Sequence, residues 1–345
     1  MKIGILTFHR AHNYGALLQC YALQQVLLSM GHDVCVIDYR QPYIEKMYGL
    51  KMKRVLKRIF FPARLKKYLR SISKYTSFFK FFNLTSKCKA TNIPENFDAY
   101  IIGSDQLWSL DCTNGIDSVY TGNFKHKKDA LVIGYSISVN LHSLNNISDD
   151  VLKKNVSHFN SISFREKFAL DYISSRVEGL FSQTLDPTLL AEASLWRPLL
   201  NHNFDNEKYV LLYEVRRLRG RETALLEKTE CLARKKKMKI VNLSGMDCSV
   251  PDFVTAFSKA ECVITSSFHA SAFALIFRKP LCAFLLQDGN DNRYKDLLEC
   301  IGAEKFLYNM DDSIEDIPVG DYKLIQNNLN QIKNRSLNFL REALE

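Results

Sequence analysis

The chain has 345 residues, 46% of them apolar, and a formal net charge of +10. That length suits two domains, each with its own core, and no apolar run is long enough to cross a bilayer. Nine cysteines lie scattered without a CxxC pair, which argues against zinc or redox use and for a reduced, cytosolic protein.

Ile3–Phe8 reads as a first strand, too short and too soon followed by polar residues to be a signal peptide. A polar loop over residues 9–15 ends in Gly15. Helical spacing then runs from Ala16 to Met30, with Gly31 placed to stop it in a left-handed conformation. Val34–Tyr39 is a second strand. The βαβ unit lacks GxGxxG, so no dinucleotide site is expected.

The charge is concentrated in one place. Residues 51–89 carry 13 Lys or Arg and no Asp or Glu, which leaves −3 for the remainder (+10 less 13). Eight aromatics are interleaved: Phe60, Phe61, Tyr68, Tyr75, Phe78, Phe79, Phe81 and Phe82. Three readings stay open for this insertion: a solvated helical face, an anionic membrane surface, or nucleic acid. No recognisable nucleic-acid module supports the last, and no nucleic-acid partner is expected.

Asp98–Ile102 is a third strand, ending in Gly103-Ser104-Asp105-Gln106. Ala130–Ser136 and Ser161–Phe164 follow, the latter ending in Arg165-Glu166. Gly179–Leu185 leads to Asp186-Pro187-Thr188, and the polar stretch Trp196–Lys208 reads as a linker. In the second half come Tyr209–Val215, a basic helix over 221–237, strand Lys239–Leu243 and a helix over 251–259. Strand Cys262–Ser266 runs into Ser267-Phe268-His269, a helix to Phe277 and an apolar run from Pro280. Helices over Asp291–Ile301 and Tyr322–Leu344 complete the chain.

The expected fold class is therefore α/β, with two Rossmann-like lobes, a cleft between them and a C-terminal helix. The lobes are expected at 1–195, carrying the insertion, and at 208–320, with the helix over 321–345. Asn13, Asp105, Arg165 and His269 all fall at carboxyl ends of strands, where such sheets bind ligands. At a helix start, His269 is placed to protonate or hold an anion, with the hydroxyls of Ser266 and Ser267 beside it. No metal site is expected.

A resemblance to a known family is carried by NYGALLQCYALQQVL (13–27), GSDQLWS (103–109), ISFRE (162–166), LDPTLL (185–190) and ITSSFHASAFALIFRKP (264–280), with weaker echoes at Pro251-Asp252-Phe253 and at Asn292-Arg293 before Leu297-Leu298. The chain resembles the polysaccharide pyruvyl transferases. The resemblance implies a GT-B-like fold and transfer of pyruvate from phosphoenolpyruvate onto two hydroxyls of one sugar, forming a cyclic ketal and releasing phosphate. It implies Arg165 and His269 as donor-gripping residues, His269 also as the proton donor, and Arg293 or Lys295 as a further basic group. Where several relatives have an arginine before the Leu-His pair, this chain has Ser267, which shifts anion binding toward Arg293 or a residue of the first lobe. Asp105 is the chosen base, with His9 and His12 as alternates, and His12, Asn13, Tyr14 and Gly15 are expected on the acceptor side.

By the same resemblance phosphoenolpyruvate is a co-substrate, and no cofactor is expected. The acceptor is a sugar of a bacterial surface glycan, lipid-linked in one reading, and the site of action is cytoplasmic, with residence at the inner membrane face in that reading. Two other classes compete. A GT-B glycosyltransferase would use a nucleotide sugar, with Asp288 or Asp291 on the ribose. A non-catalytic glycan-assembly protein would use the basic segment alone.

Overall fold

The computed structural model describes residues 1–205, 207–216 and 220–345. Asn206, within the expected linker, and the Arg54 side chain, within the basic segment, lie outside the described residues. The chain divides into two units: Met1–Leu190 with Ser336–Glu345, and Ala191–Arg335.

The first unit holds a six-stranded parallel sheet. Its strands are β1 (Lys2–Leu6), β2 (Asp33–Val36), β3 (Ala99–Asp105), β4 (Leu131–Ile137), β5 (Ser161–Phe164) and β6 (Phe181–Gln183). The order is β2-β1-β3-β4-β5-β6, so successive crossovers diverge between β1 and β3. Ile3, Ile5, Tyr100, Ile101, Ile102, Val132 and Ile133 are almost wholly buried, as expected for strands covered by helices on both faces. Helix Tyr14–Ser29 starts at Asn13, whose side chain accepts from the Ala16 N–H, and ends before Gly31, whose φ of +87° is the expected left-handed stop.

The second unit holds a five-stranded parallel sheet. Its strands are β7 (Tyr209–Tyr213), β8 (Lys239–Asn242), β9 (Cys262–Thr265), β10 (Leu281–Leu285) and β11 (Leu307–Asn309). The order β11-β10-β9-β7-β8 puts the divergence between β7 and β9. The α/β class and its parallel sheets agree with the sequence. The short edge strand β11 was not foreseen, because three residues carry too little periodicity to stand out.

Two expected boundaries are corrected. Trp196 is fully buried and packs edge-on against Phe273, with ring centroids 4.9 Å apart. Asn201 donates to the Asp252 carboxylate at 2.8 Å. Residues 196–205 are thus a packed part of the second unit, and the division falls at Leu190. The terminal helix, Tyr322–Ala343, is likewise no separate element: the second unit includes it to Arg335, and the first unit takes it from Ser336. Ser336 Oγ accepts from the Leu185 N–H at 2.9 Å in the first unit.

The basic insertion has two parts. Helices Pro42–Tyr48, Met52–Leu56 and Pro62–Thr76 lead into a short 3-10 turn, Ser77–Phe81. From there the chain is anchored. Phe78 and Phe82 are buried, the Asn83 N–H donates to Gln24 at 2.8 Å, and Leu84 and Cys88 bridge to Val36 and Tyr39.

Candidate functional site

In the first unit the carboxyl ends of the strands carry a dense polar network. Near the end of β3, Gly103 has φ +137°, and an added Cβ there would lie 1.9 Å from the Tyr135 carbonyl oxygen; only glycine fits. The next residue, Ser104, is buried. Its hydroxyl donates to the Ser136 carbonyl at 2.7 Å, and its N–H donates to Gln19 at 3.2 Å. Gln19 also donates to Thr7 at 2.8 Å, which ties the ends of β1, β3 and β4 together. Asp105 has a positive φ of +82°, and its carboxylate accepts from the Gln106 N–H at 2.9 Å. It is half-buried, with access to solvent.

Arg165 occupies the end of β5, as the sequence placed it, but it faces protein acceptors. Its side chain is 3% exposed. The Nε donates to Glu166 at 2.9 Å, one terminal nitrogen to Asp186 at 2.8 Å and the other to Ser138 at 2.8 Å. Burial acts to lower its pKa, but the charges of Glu166, Asp186 and Asp105 outweigh burial and raise it. The guanidinium thus holds together a buried frame of two carboxylates, Glu166 and Asp186. Asp186 also accepts from the Thr188 hydroxyl and N–H, so it fixes the Asp-Pro-Thr turn as well. Glu166 Oε2 is buried and finds no hydrogen-bond partner among the described residues.

A second cluster gathers after β1 and β2. His9 is buried between the Thr7 carbonyl and Asp38, each 3.1 Å from a ring nitrogen. Burial lowers the His9 pKa, assisted by Arg10 and opposed by Asp38. Burial tends to raise the Asp38 pKa, but hydrogen bonds from His9, Arg10 and Arg40 hold it well below the usual carboxylate range. Arg10 lies over the Phe79 ring at 4.2 Å, which joins this cluster to the insertion.

His12 and Tyr14, expected on the acceptor side, meet the insertion too. The His12 ring stacks on Tyr75 with centroids 5.1 Å apart, and Tyr14 packs on the same ring at 5.1 Å. Burial and then Lys74 lower the His12 pKa. Tyr48 lies beside His12, and its own pKa is raised by burial, then by Cys112 and Asp105. Asn13 caps the helix, and Gly15 is buried in its first turn.

In the second unit, β9 ends at Thr265 and helix Phe268–Ile276 starts beside the divergence between β7 and β9. Ser267 is the N-cap residue, but its side chain makes no cap hydrogen bond. The Ser267 N–H donates to Thr265 at 3.1 Å, and Thr265 donates to the Tyr213 carbonyl at 2.5 Å, so the turn is fixed from below. His269, in the first turn, is 9% exposed and packs edge-on against Phe268 at 5.1 Å. A helix start with no side-chain cap, two serines and a histidine form an arrangement suited to an anion.

Arg216, just past β7, joins this edge. It reaches the Ser266 carbonyl at 3.4 Å and pairs with Asp288 and, at 3.5 Å, with Asp291. Asp291 is buried, and the Tyr294 hydroxyl lies 2.6 Å from it. Sequence reasoning missed Arg216, although it follows a buried strand just as Arg165 does. Arg293 is half-buried, with its Nε donating to the Asn290 carbonyl at 3.2 Å. Lys295 is exposed and pairs along its helix with Glu299 at 3.7 Å, apart from this cluster.

The model of the family described as polysaccharide pyruvyl transferase matches residues 13–287, which span every candidate above from Asn13 to His269. The chain belongs to the polysaccharide pyruvyl transferase family. No curated protein matches this family member by sequence. Among solved structures it is similar to the UDP-GlcNAc 2-epimerase of Methanocaldococcus jannaschii solved with UDP-GlcNAc and UDP, at 12% identity and TM-score 0.49, covering 97% of this chain and 93% of that one. It is also similar to the UDP-N-acetylglucosamine 2-epimerase of Rickettsia bellii, at 11% identity and TM-score 0.47, covering 99% and 96%. A third is the glycosyltransferase SnogD of Streptomyces nogalater, at 10% identity and TM-score 0.38, covering 99% and 95%.

Proposed function

We propose that this protein moves the pyruvyl group of phosphoenolpyruvate onto two hydroxyls of one sugar in a bacterial surface polysaccharide or its precursor, forming a cyclic ketal and releasing phosphate. The observation that carries this reading is the family match over residues 13–287. The residue types at the strand ends support it chemically.

The reaction needs C3 of the enol to gain a proton, which makes C2 electrophilic. One sugar oxygen bonds to C2, the C2–O bond to phosphate breaks, and the second sugar oxygen takes its place. Two hydroxyl protons leave; their number balances the proton gained by C3 and the one that departs with phosphate. His269 is the proposed proton donor, a role open to an imidazole at a strand end beside a helix start. The helix start beside it, with Ser266 and Ser267, would take the phosphate or carboxylate of the donor, and Arg293 would supply a cationic fork. Asp105 is the proposed base for the acceptor hydroxyls, with His12, Tyr14 and Tyr48 nearby to contact the sugar. Arg165 acts through Glu166 and Asp186, whose positions it holds.

Incubation with phosphoenolpyruvate and a panel of glycan acceptors tests the reading. Phosphate release coupled to a pyruvylated product by mass is the expected result. Release of phosphate without such a product, or transfer from a nucleotide sugar instead, would overturn it.

A further inference from the structure

Of the 17 large apolar side chains exposed among the described residues, eight fall within residues 47–69. They include Met52, Leu56, Ile59, Phe60, Phe61 and Leu69, and Phe60 is 86% exposed. Scattered exposed apolar residues are ordinary, but a concentration of this kind marks an interaction surface. The same stretch is wholly basic. Residues 51–70 carry nine Lys or Arg and no Asp or Glu.

The architecture separates this surface from the fold. Phe78 and Phe82 hold the insertion in the core, so the exposed apolar groups are not needed for anchoring. Helix Pro62–Thr76 buries no side chain fully. Of its half-buried residues, Leu65, Tyr68, Ile72 and Tyr75 recur every three or four positions along one face, and Lys74 and Thr76 are half-buried beside them at its end. Leu69 is exposed, as are Arg64, Lys66, Lys67 and Arg70. The Lys51 N–H donates to the Tyr68 hydroxyl at 3.2 Å, which links the start of the stretch to the helix.

We propose that residues 47–70 dock this protein on an anionic lipid bilayer. The basic groups would meet lipid phosphates, and Phe60 and Phe61 would enter the headgroup–acyl boundary with the flanking aliphatic side chains. A polyanion such as nucleic acid would satisfy the charges, but it offers no apolar phase to Met52, Leu56 and Ile59. The proposal rests on this surface alone and stands apart from the reaction proposed above.

Co-sedimentation of the full chain with vesicles tests it. One set is phosphatidylcholine alone, and the other contains about 30% phosphatidylglycerol. Binding to the anionic set at low salt is expected, with release near about 0.5 M salt, where the screening length is roughly 4 Å. The triple variant Lys57→Glu, Lys66→Glu, Lys67→Glu and the double variant Phe60→Ser, Phe61→Ser should each cut the bound fraction by at least about fivefold. Their melting temperatures should match the parent, because all five side chains are exposed. Equal partition onto both vesicle sets, binding to neither, or binding that both variants retain would overturn the proposal. Displacement from vesicles by a mixed-sequence oligonucleotide that binds more tightly would assign the surface to nucleic acid and overturn it as well.

Discussion

The Arg165 guanidinium donates to the Asp186 carboxylate across 2.8 Å, with the two side chains 3% and 0% exposed. Removing one partner leaves a charge without compensation in the interior, which costs about 3–5 kcal/mol. Asp186→Asn and Arg165→Ala should therefore both lower the denaturant midpoint markedly. Arg165→Lys should not restore it, because an ammonium cannot serve Glu166, Asp186 and Ser138 with one planar fork. Stability unchanged in Asp186→Asn would show that the buried pair is not part of the frame.

His269 should behave differently. His269→Ala should lower turnover by about 100-fold or more while leaving the unfolding curve in place. Arg293→Ala should raise the apparent KM for phosphoenolpyruvate more than that for the acceptor. Steady-state kinetics on both substrates check the pair. Near-normal turnover in the first variant, or a change confined to the acceptor in the second, would remove these roles.

Gly103 allows a severe test of the first unit. A methyl group there would lie 1.9 Å from the Tyr135 oxygen, on a backbone at φ +137°. Gly103→Ala should destabilise the protein by on the order of 4 kcal/mol or more, read as loss of soluble expression or a collapsed melting transition. A variant that melts like the parent would show that the strand end relaxes freely.

Acid should weaken the His9 cluster. Burial lowers the His9 pKa in the folded protein from 6.5, so the unfolded chain binds the proton more readily. The stability linked to His9 is then fully present above about 6.5 and is lost as pH falls toward the lower folded value. His12 shifts in the same direction through its own burial and Lys74, so the diagnostic quantity is the difference between proteins. Denaturation midpoints measured between about pH 5 and 8 should fall less steeply in His9→Gln than in the parent. Identical slopes would exclude His9 as a source of the pH dependence.

The insertion should divide at Ser77. Phe78 is 1% exposed, and Phe78→Ala should cost about 3–5 kcal/mol by chemical denaturation. Phe60→Ala should change stability by less than about 0.5 kcal/mol. Equal costs at the two positions would contradict the anchored and exposed halves.

The strands from Ile3 to Leu285 were legible because buried parallel strands are short apolar runs closed by polar or glycine residues. The same pattern marks their carboxyl ends, and so places Asp105, Arg165 and His269 where such sheets bind ligands. Motif order alone also indicated the family. What local pattern could not express was which partner each polar group finds. Arg165 meets Asp186 21 positions away, and Ser104 meets Ser136 across 32. Those separations carry no periodic signal, so an arginine that reads as a ligand fork is held within the protein. Exposure was hidden for the same reason: Phe60 and Phe78 are alike in a composition count, and only packing buries one and leaves the other in water. The linker failed likewise, since a polar stretch with one tryptophan looks open until Trp196 finds Phe273 77 residues on. Sequence by itself determined the alternation of elements, the chemistry at their ends and the family. The tertiary structure decided which charges are neutralised and which apolar groups are covered, because desolvation and ion pairing depend on contacts that the chain makes only after it has folded.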